Sequence, residues 1–392
     1  MSHWWRKEEV HLETKEYELG QLLTYEQPTP YIVESTKYSD KYKTPVLTAG
    51  KSFIIGYTNE ETGIYDSLPV IIFDDFTTSS QYVNFKFKVK SSAMKILTAN
   101  AELVLPKYIF YRMQIINFDH STHKRYWIQH YSKLKVPIPS LDKQHYIVSR
   151  IEELFSELEK GVETLQTIKQ QLAVYRQAVL KEAFEGDFNR CQLKEISTTI
   201  SGYAFKSKKY TPNGEYTVVK IGNVKQWHFD FSRDFTKTNE VDDSILNKYL
   251  LKQGDCLITL TGSRGKRDYG FVAMVDNESN FLLNQRVAAL RFNKEVALPK
   301  FFMYYLASFD YRNQFFSYET GNVGQGNVGV KALSEPVVVC PPLKIQYQVV
   351  AEIESRLSVC DSIEQTVDTA LTQAEAMRQS ILKKAFEGGF SE

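Results

Sequence analysis

The chain has few cysteines and no long apolar run. Its 392 residues include only 4 cysteines, whose spacing matches neither a zinc site nor a disulfide framework. No uninterrupted apolar stretch approaches the roughly 18 residues of a membrane-spanning helix. Trp4 and Trp5 are followed at once by charged residues, unlike the apolar core of a signal peptide. We therefore expect a reduced cytoplasmic protein that is neither secreted nor inserted in a membrane.

The chain also lacks an excess of either charge. Its 48 basic and 47 acidic residues give a formal net charge of +1. Any contact with nucleic acid must therefore come from local basic patches, because the field of the whole molecule is nearly neutral. Hydrophobic residues make up 43% of the chain and charged residues 24%, which are ordinary values for a folded protein. The composition excludes a mainly disordered chain.

Signatures of several catalytic sites are missing as well. The chain has no GxxxxGK(S/T) nucleotide loop, no HExxH zinc helix and no nucleophile elbow. Asp74 and Asp75 suggest a divalent cation site, but neighbouring residues on a strand point to opposite faces and no companion Glu-x-Lys lies nearby. We interpret these two aspartates as strand-end or turn residues, and we predict no catalytic residue and no metal ligand.

What the chain does contain is a long internal repeat. Residues 139–188 align without a gap on residues 341–390, at an offset of 202, and 19 of the 50 positions are identical. The match is densest at the end, where Leu180–Gly186 and Leu382–Gly388 share the pattern Leu-Lys-x-Ala-Phe-Glu-Gly. A period this long indicates two copies of one large unit rather than a solenoid. We predict two related halves of about 200 residues each, which is the size of a domain.

Each copy of the repeat has the apolar spacing of a long helix, with steps of four and three residues. The seam of the first copy consists of Ile147, Ile151, Leu154, Leu158, Leu165, Ile168, Leu172, Tyr175 and Val179. The seam of the second copy consists of Val349, Ile353, Cys360, Ile363, Val367, Ala370, Ala374, Met377 and Ile381. Because the second seam carries small residues at Ala370 and Ala374, we expect the two helices to interlock.

The connection between the helices decides their relative direction. Helices of this length, roughly 60 Å, each with one apolar stripe, need a partner. The segment that links the end of the first helix to the start of the second is too compact to span a parallel pair. The predicted fold class is therefore α+β, with two α/β end domains separated by a pair of long antiparallel helices, related by a pseudo-twofold axis. The predicted domains are residues 1–138, 139–188, 189–338 and 339–392.

The end domains are expected to be rich in strands. Val70–Phe73 and Cys256–Leu260 have the composition of buried strands, and Asn84–Val89 is predicted as a further strand. Leu105–Tyr111 resembles Leu298–Tyr304, which indicates common ancestry of the two end domains. Elsewhere the two domains diverge, so we expect a shared scaffold with two different recognition surfaces.

The layout resembles the specificity (S) subunit of type I DNA restriction-modification systems, over essentially the whole chain. The stretches that carry the resemblance are Pro45–Ser52, Pro69–Thr78, Asn284–Ala288 and Pro341–Gln346. The resemblance implies a non-catalytic subunit that reads a split, asymmetric DNA sequence, with one half-site for each end domain and the helices as the spacer. It also implies double-stranded DNA, two methylation subunits and translocating restriction subunits as partners. It implies no cofactor of its own, since S-adenosylmethionine, ATP and Mg²⁺ are expected on the partner subunits.

Candidate DNA contacts occur in both end domains. In the first, alternating lysines are expected on one face of a strand, extended by a polar edge: Lys86, Lys88, Lys90, Ser91, Ser92 and Lys95. The alternative is a solvated strand face. In the second, a glycine-jointed basic loop offers Thr261, Ser263, Arg264, Lys266 and Arg267. Asn284, Gln285 and Arg286 carry base-reading groups, or alternatively form a buried network. The glycine-rich run 321–329 lacks a dinucleotide-binding context and is interpreted as a loop opening towards DNA or a connector.

The closing segments of the two helices carry identical polar residues. A glycine cap with flanking phenylalanines explains the Phe-Glu-Gly pattern, but it does not require the polar residues to match. We interpret these residues as two copies of one partner-binding patch, which consists of Arg176, Gln177 and Lys181 in the first helix and Arg378, Gln379 and Lys383 in the second. Two alternatives stay open, a coiled-coil adaptor that binds proteins and a self-contained DNA methyltransferase.

Overall fold

The chain folds into two compact units that each combine strands with parts of two long helices. The computed structural model describes residues 14–48, 52–118, 125–232, 235–239, 241–277, 279–322 and 324–387. The first unit comprises Met1–Leu165 and Thr369–Glu392, and the second comprises Gln166–Asp368. Each unit thus contains the beginning of one long helix and the end of the other, together with one predicted end domain. The predicted four-part division of the chain stays a prediction.

The first unit is built mainly from antiparallel strands around an aromatic core. Its strands are β1 (Lys15–Glu18), β2 (Leu23–Glu26), β3 (Thr44–Leu47), β4 (Ile54–Thr58), β5 (Val70–Asp74), β6 (Ser80–Val83), β7 (Lys88–Val89), β8 (Met94–Ala99) and β9 (Lys135–Ile138). Its helices are α1 (Leu19–Leu22), α2 (Pro106–Met113) and the start of α3 (Leu141–Phe184). The strands form sheets in the orders β2-β8-β5-β6, β4-β3-β7 and β1-β9. Strand β5 is apolar and central, and its Phe73 packs on Trp127 and Tyr131.

Among the described residues, the second unit contains more strands than the first. Its strands are β10 (Arg190–Gln192), β11 (Ser197–Ser201), β12 (Tyr216–Val219), β13 (Lys237–Thr238), β14 (Cys256–Thr259), β15 (Thr261–Ser263), β16 (Val272–Met274), β17 (Phe281–Leu283), β18 (Val287–Phe292), β19 (Glu319–Thr320), β20 (Gln325–Val328) and β21 (Val337–Val339). Its helices are α4 (Leu193–Ile196), α5 (Asp243–Tyr249), α6 (Pro299–Tyr305), α7 (Phe309–Ser317) and the start of α8 (Leu343–Phe386).

The sheets of the second unit repeat those of the first. The orders β11-β18-β14-β16, β13-β12-β17 and β10-β21 match the three sheets of the first unit strand for strand. The mixed sheet is also equivalent, because β12 pairs with β17 in parallel as β3 pairs with β7. A fourth sheet, β15-β20-β19, has no counterpart in the described residues of the first unit. The similarity between the two end domains therefore extends well beyond the short sequence match around Leu105 and Leu298.

The long helices are antiparallel within each unit. In the first unit, Ile147 and Ile151 near the start of α3 share a buried cluster with Leu382 near the end of α8. In the second unit, Leu180 near the end of α3 shares a buried cluster with Ile353 near the start of α8. The predicted α+β class with paired antiparallel helices is confirmed.

The predicted seams need three corrections. Tyr175, Ile363 and Met377 are exposed, at 48%, 40% and 53%. A straight α-helix drifts by about 20° per heptad relative to a 3.5-residue repeat, so a strict seam leaves the buried face after a few turns. The expected interlocking around the alanines is also incomplete. Within the first unit, Ala370 and Ala374 line an apolar cleft of about 380 Å³.

A buried glutamine joins the long helix to the domain in the first unit. Gln144 is fully buried near the start of α3. Its side chain accepts a hydrogen bond from the Leu105 N–H at 2.8 Å, just before α2. It donates to the carbonyls of Leu103 at 3.1 Å and Pro139 at 2.9 Å. One side chain therefore satisfies three backbone groups of two elements.

The same junction occurs in the second unit. Gln346 is fully buried, accepts from the Leu298 N–H at 2.7 Å and donates to the carbonyls of Val296 and Pro341 at 2.8 and 2.7 Å. Ion pairs at equivalent positions support both junctions, Lys107 with Glu152 and Lys300 with Glu354. Gln144 and Gln346 occupy equivalent positions in the repeat. This identity is the feature of the sequence from which the shared junction could have been predicted.

The described residues contain neither a disulfide bond nor a membrane-spanning helix. The four cysteines there are free thiols. No helix in the described ranges combines the length and apolarity that crossing a membrane requires. The predicted strand Asn84–Val89 is shortened to β7, since only Lys88 and Val89 form the ladder.

Candidate nucleic-acid interface

A polar cleft of about 470 Å³ opens on the second unit. Its lining comes from three segments, which are the joint between β14 and β15, the turn between β17 and β18, and the hairpin of β19 and β20. The lining residues are Leu260, Thr261, Gln285, Arg286, Gly321, Asn322, Gln325 and Asn327. The cleft therefore brings together the predicted basic loop, the predicted Asn-Gln-Arg segment and the glycine-rich run.

Two glycines allow the fourth sheet to pack closely on the domain. Gly262 on β15 lies opposite Gly326 on β20. A Cβ atom on Gly262 would lie 2.7 Å from a ring carbon of Tyr269, and one on Gly326 would lie 2.7 Å from the Tyr269 hydroxyl. That hydroxyl donates a hydrogen bond of 2.5 Å to Glu319. Burial, this hydrogen bond and the nearby carboxylate raise the pKa of Tyr269, so the donor keeps its proton at neutral pH.

The hairpin loop beside the cleft is fixed by a third glycine and an arginine. Gly321 has a φ of +126°, a conformation that side chains rarely tolerate. A Cβ atom there would approach the Gln325 carbonyl oxygen to 2.2 Å. Arg264 from the basic loop donates to the Gly321 carbonyl at 2.7 Å. Arg264 therefore positions the loop, in addition to any contact with a ligand.

Five polar side chains of the cleft have no partner within the described part of the chain. Backbone hydrogen bonds hold two of them in place, from Gln285 N–H to the Tyr203 carbonyl at 3.0 Å and from Leu260 N–H to the Arg286 carbonyl at 3.1 Å. The side chains without a hydrogen bond or ion pair to other described residues are Gln285, Arg286, Asn322, Gln325 and Asn327. The Thr261 hydroxyl is buried and also unpaired. Unpaired polar groups on an ordered backbone are available to a ligand.

The basic loop that follows β15 carries exposed cations. Lys266 and Arg267 are exposed, and Arg267 stacks over the Phe316 ring at 4.9 Å. Arg312 beneath them donates to the carbonyls of Gly270 and Arg267. Burial and repulsion from Arg267 lower the pKa of Arg312, which is far too basic to lose its proton at neutral pH. The loop therefore presents positive charge on a braced backbone.

The predicted residues of the second domain are distributed over this region. Arg264, Lys266, Arg267, Gln285 and Arg286 are exposed, whereas Thr261, Ser263 and Asn284 are half-buried. The alternative of a buried network does not fit Gln285 and Arg286. Asn322, Gln325 and Asn327 were not predicted from the sequence as candidate DNA contacts. The signal that could have identified them is the presence of amide side chains between the glycines of the run 321–329.

The lysines of the first unit require a correction. Lys88 is buried, pairs with Glu60 at 2.8 Å and donates to the Thr62 carbonyl at 2.7 Å. Lys95 is buried, lies 3.5 Å from Asp75 and lies over the Tyr25 ring. Glu60 and Thr62 cover Lys88 on β7, and Asp75 and Tyr25 cover Lys95 on β8, so both lysines are structural in this unit. They are removed from the predicted interface.

The other candidate DNA contacts of the first unit are accessible to solvent. Lys86 is exposed and lies 3.5 Å from the exposed Asp66. Lys90 and Ser92 are exposed, and Ser91 is half-buried. DNA contact by these four residues stays a prediction.

The aspartate pair of the first unit has structural roles, as predicted. Asp74 accepts from the N–H groups of Phe76 and Thr77 at 2.8 and 3.0 Å, which closes the turn after β5. Asp75 is buried and accepts from the Trp127 N–H at 2.8 Å. Among the described residues there is no cluster of histidine, cysteine, aspartate or glutamate that could hold a metal ion.

The duplicated arginines contact the opposite helix. In the second unit, Arg176 on α3 binds Asp361 at 2.5 Å and Glu364 at 2.8 Å on α8. In the first unit, Arg378 on α8 lies 3.5 Å from Glu159 on α3 and over the Phe155 ring. Both arginines therefore help to hold the helix pair together within their units, and their assignment to the partner-binding patch stays a prediction.

The duplicated glutamines and lysines are exposed. Lys181 and Lys383 have side chains that are 71% and 70% exposed, each near a glutamate one turn later. Gln177 and Gln379 are exposed as well. In the first unit, Gln379 and Lys383 also line a recess of about 590 Å³ that includes Arg112. These four residues therefore stay available to a partner.

Comparison with known proteins identifies similar sequences and folds. A family model described as the type I restriction modification DNA specificity domain matches residues 185–373. The EcoR124I/EcoR124II specificity subunit of Escherichia coli is 38% identical over 231 residues, which are 55% of this chain and 57% of that subunit. The EcoKI specificity subunit of Escherichia coli K12 is 27% identical over 274 residues, which are 65% of this chain and 57% of that subunit. The chain thus matches little more than half the length of these relatives.

A solved structure shares the fold over nearly the whole chain. It was determined in work on complex assembly and conformational transition of the type I R-M system, and its TM-score is 0.69. The similarity covers 96% of this chain and 98% of that chain, at 16% identity. The resemblance and the fold class expected from the sequence are confirmed.

Proposed function

We propose that the chain is a specificity subunit of a type I restriction-modification system and that it selects the DNA sequence on which such a complex acts. It binds a bipartite, asymmetric target in double-stranded DNA, and each unit reads one half-site. Methylation and restriction subunits dock on it, and they carry S-adenosylmethionine, ATP and Mg²⁺. The chain itself catalyses no reaction.

The polar cleft of the second unit is the observation that carries this proposal. It lies within residues 185–373, the span of the matched DNA specificity domain. Its unpaired amides and guanidinium are the groups that read base edges, and the adjacent cations suit the phosphate backbone. A neutral whole-molecule charge is compatible with this use because the positive charge is local.

The difference between the two units supports an asymmetric target. The shared sheets give both units one framework, but the sheet β15-β20-β19 that forms one wall of the cleft is specific to the second unit among the described residues. Two surfaces with different side chains favour different base pairs. We therefore expect a non-palindromic recognition sequence.

The exposed repeat residues support docking of the methylation subunits. Gln177 and Lys181 at the end of α3 recur as Gln379 and Lys383 at the end of α8. Two copies of one patch suit two copies of one subunit. In a pull-down, replacing all four residues by alanine should weaken capture of the methylation subunits. Alanine at the exposed helix residues Gln170 and Thr372 provides a matched control, and equal capture by both variants would remove the docking assignment.

The DNA-reading proposal is tested by competition gel shifts and by methylome sequencing. The chain assembled with methylation subunits should select one bipartite motif from random DNA at a stated salt concentration. Host DNA should lose methylation at the same motif when the gene is deleted. Binding without sequence preference would favour the protein-binding adaptor. Methylation of DNA by the purified chain alone would instead favour a self-contained methyltransferase.

A further inference from the structure

The cleft and the basic loop of the second unit differ in chemistry. Among the described residues, the cleft lining contains four amide side chains, one cation, Arg286, and no carboxylate. The loop that adjoins it carries the exposed cations Lys266 and Arg267. Amides and guanidinium groups can form paired hydrogen bonds to one base edge, whereas a lysine acts on phosphate as a point charge.

We propose that these two surfaces divide recognition of the second half-site, with Gln285 and Arg286 determining base specificity and Lys266 supplying affinity that is independent of sequence. This inference rests on the proposed function and assigns its parts. The carboxamide of Gln285 matches adenine, with one donor and one acceptor for N7 and N6. The guanidinium of Arg286 matches guanine, with two donors for O6 and N7.

Local geometry makes Gln285 and Arg286 suitable as reading residues. They are exposed and follow one another in the turn between two buried strands, β17 and β18. Backbone hydrogen bonds to Tyr203 and Leu260 fix both positions. Their side chains have no partner in the described part of the chain. Because the backbone is already fixed, binding a base orders only these two side chains and breaks no internal bond.

The loop cations are held differently. The backbone of the loop is braced by Arg312, which donates to the carbonyls of Gly270 and Arg267. Arg267 itself stacks on Phe316, and Arg264 is occupied by the Gly321 carbonyl. Lys266 is exposed, and its ammonium group lacks the planar pair of donors that a guanidinium group offers to a base edge. It is therefore suited to a contact with phosphate.

The experiment is a DNA selection with both half-sites randomised, performed on the full chain assembled with its methylation subunits. Gln285→Ala should reduce discrimination by roughly tenfold or more at an adenine–thymine pair of one half-site, and Arg286→Lys should do so at a guanine–cytosine pair. The other half-site should be unchanged. Lys266→Ala should leave the motif intact, weaken binding to all sequences and reduce the salt slope by about one.

The outcomes separate this inference from the proposed function. If wild type selects a bipartite motif and both cleft variants select the same motif with the same preferences, the division of roles is wrong while the proposed function stands. If wild type selects no motif, the proposed function fails and this inference fails with it. A shift of base preference caused by Lys266→Ala would also overturn the inference. All three residues are exposed, and thermal unfolding of each variant verifies that it is folded.

Discussion

The first and second units have the same framework and different surfaces. Three sheets have the same strand order in both, and a buried glutamine makes the same three hydrogen bonds at each junction with a long helix. The second unit adds a sheet that forms one wall of a polar cleft, whereas the first unit buries two of its candidate lysines. The two units therefore share the contacts that hold each domain on its helix and differ in the groups that each domain presents.

The largest expected effect comes from breaking a shared junction. Gln346→Leu should destabilise the second unit by about 4 kcal/mol, because three buried backbone groups lose their partner at about 1–3 kcal/mol each. Gln144→Leu should have an effect of similar size in the first unit. Urea unfolding measures both, with the exposed Gln348→Leu as control. A loss no larger than that of the control would show that the junctions are not stabilising.

The next effect distinguishes the lysines of the two units. Lys88→Ala should cost about 3 kcal/mol of stability, because it leaves the carboxylate of Glu60 without its partner in a site where that carboxylate is mostly buried. The salt dependence of DNA binding should not change. Lys266→Ala should leave stability unchanged and reduce the salt dependence of DNA binding. Lys86→Ala is the control at an exposed lysine of the first unit. Unchanged stability in Lys88→Ala would return this lysine to the candidate interface.

A smaller effect compares the repeated arginines. Arg176→Ala should cost about 1–2 kcal/mol, because its side chain is only 20% exposed and binds two carboxylates. Arg378→Ala should cost less than about 1 kcal/mol, because its ion pair is more exposed and longer. Denaturant titration of both variants gives the difference. Equal losses would mean that the two helix contacts are energetically equivalent despite their different burial.

The smallest expected effect is a loss of stability of the first unit at acidic pH. Burial by itself would raise the pKa of Glu60, but hydrogen bonds from Lys88 and from the N–H groups of Ser35 and Glu34 outweigh it and lower that pKa. A folded-state pKa below the unfolded value contributes stability above the unfolded pKa, and this contribution is lost as the pH falls through the folded pKa. Stability of the first unit should therefore decline below the usual glutamate value of 4.5. Glu60→Gln should show a flatter acid profile in pH-dependent urea unfolding.

The helical part of the fold could be predicted because its signals are local. Apolar spacing, the flanking prolines and Gly186 predicted helices close to Leu141–Phe184 and Leu343–Phe386. The exposed seam residues, such as Tyr175, show the limit of this reasoning, because small differences in helical pitch accumulate over many turns. The roles of Asp74 and Asp75 could also be predicted, since adjacent strand residues cannot share one face.

The assignment of Lys88 to the DNA interface failed for a physical reason. Alternation places Lys86, Lys88 and Lys90 on one side of a strand, but it does not say whether solvent or another part of the chain lies there. Glu60 and Thr62 cover Lys88 from a distant segment. Arg176 likewise contacts acidic partners that are about half a chain away in sequence.

The repeat, the helices, their antiparallel direction and the family resemblance followed from the order of residues, because periodicity and chain connectivity are properties of neighbouring positions. Convergence of three segments into one cleft, burial of Lys88 and Lys95, and the interhelical contacts of both arginines depended on the folded molecule. These features arise from contacts between residues far apart in the chain, and a polar group becomes structural or available only when those contacts are made.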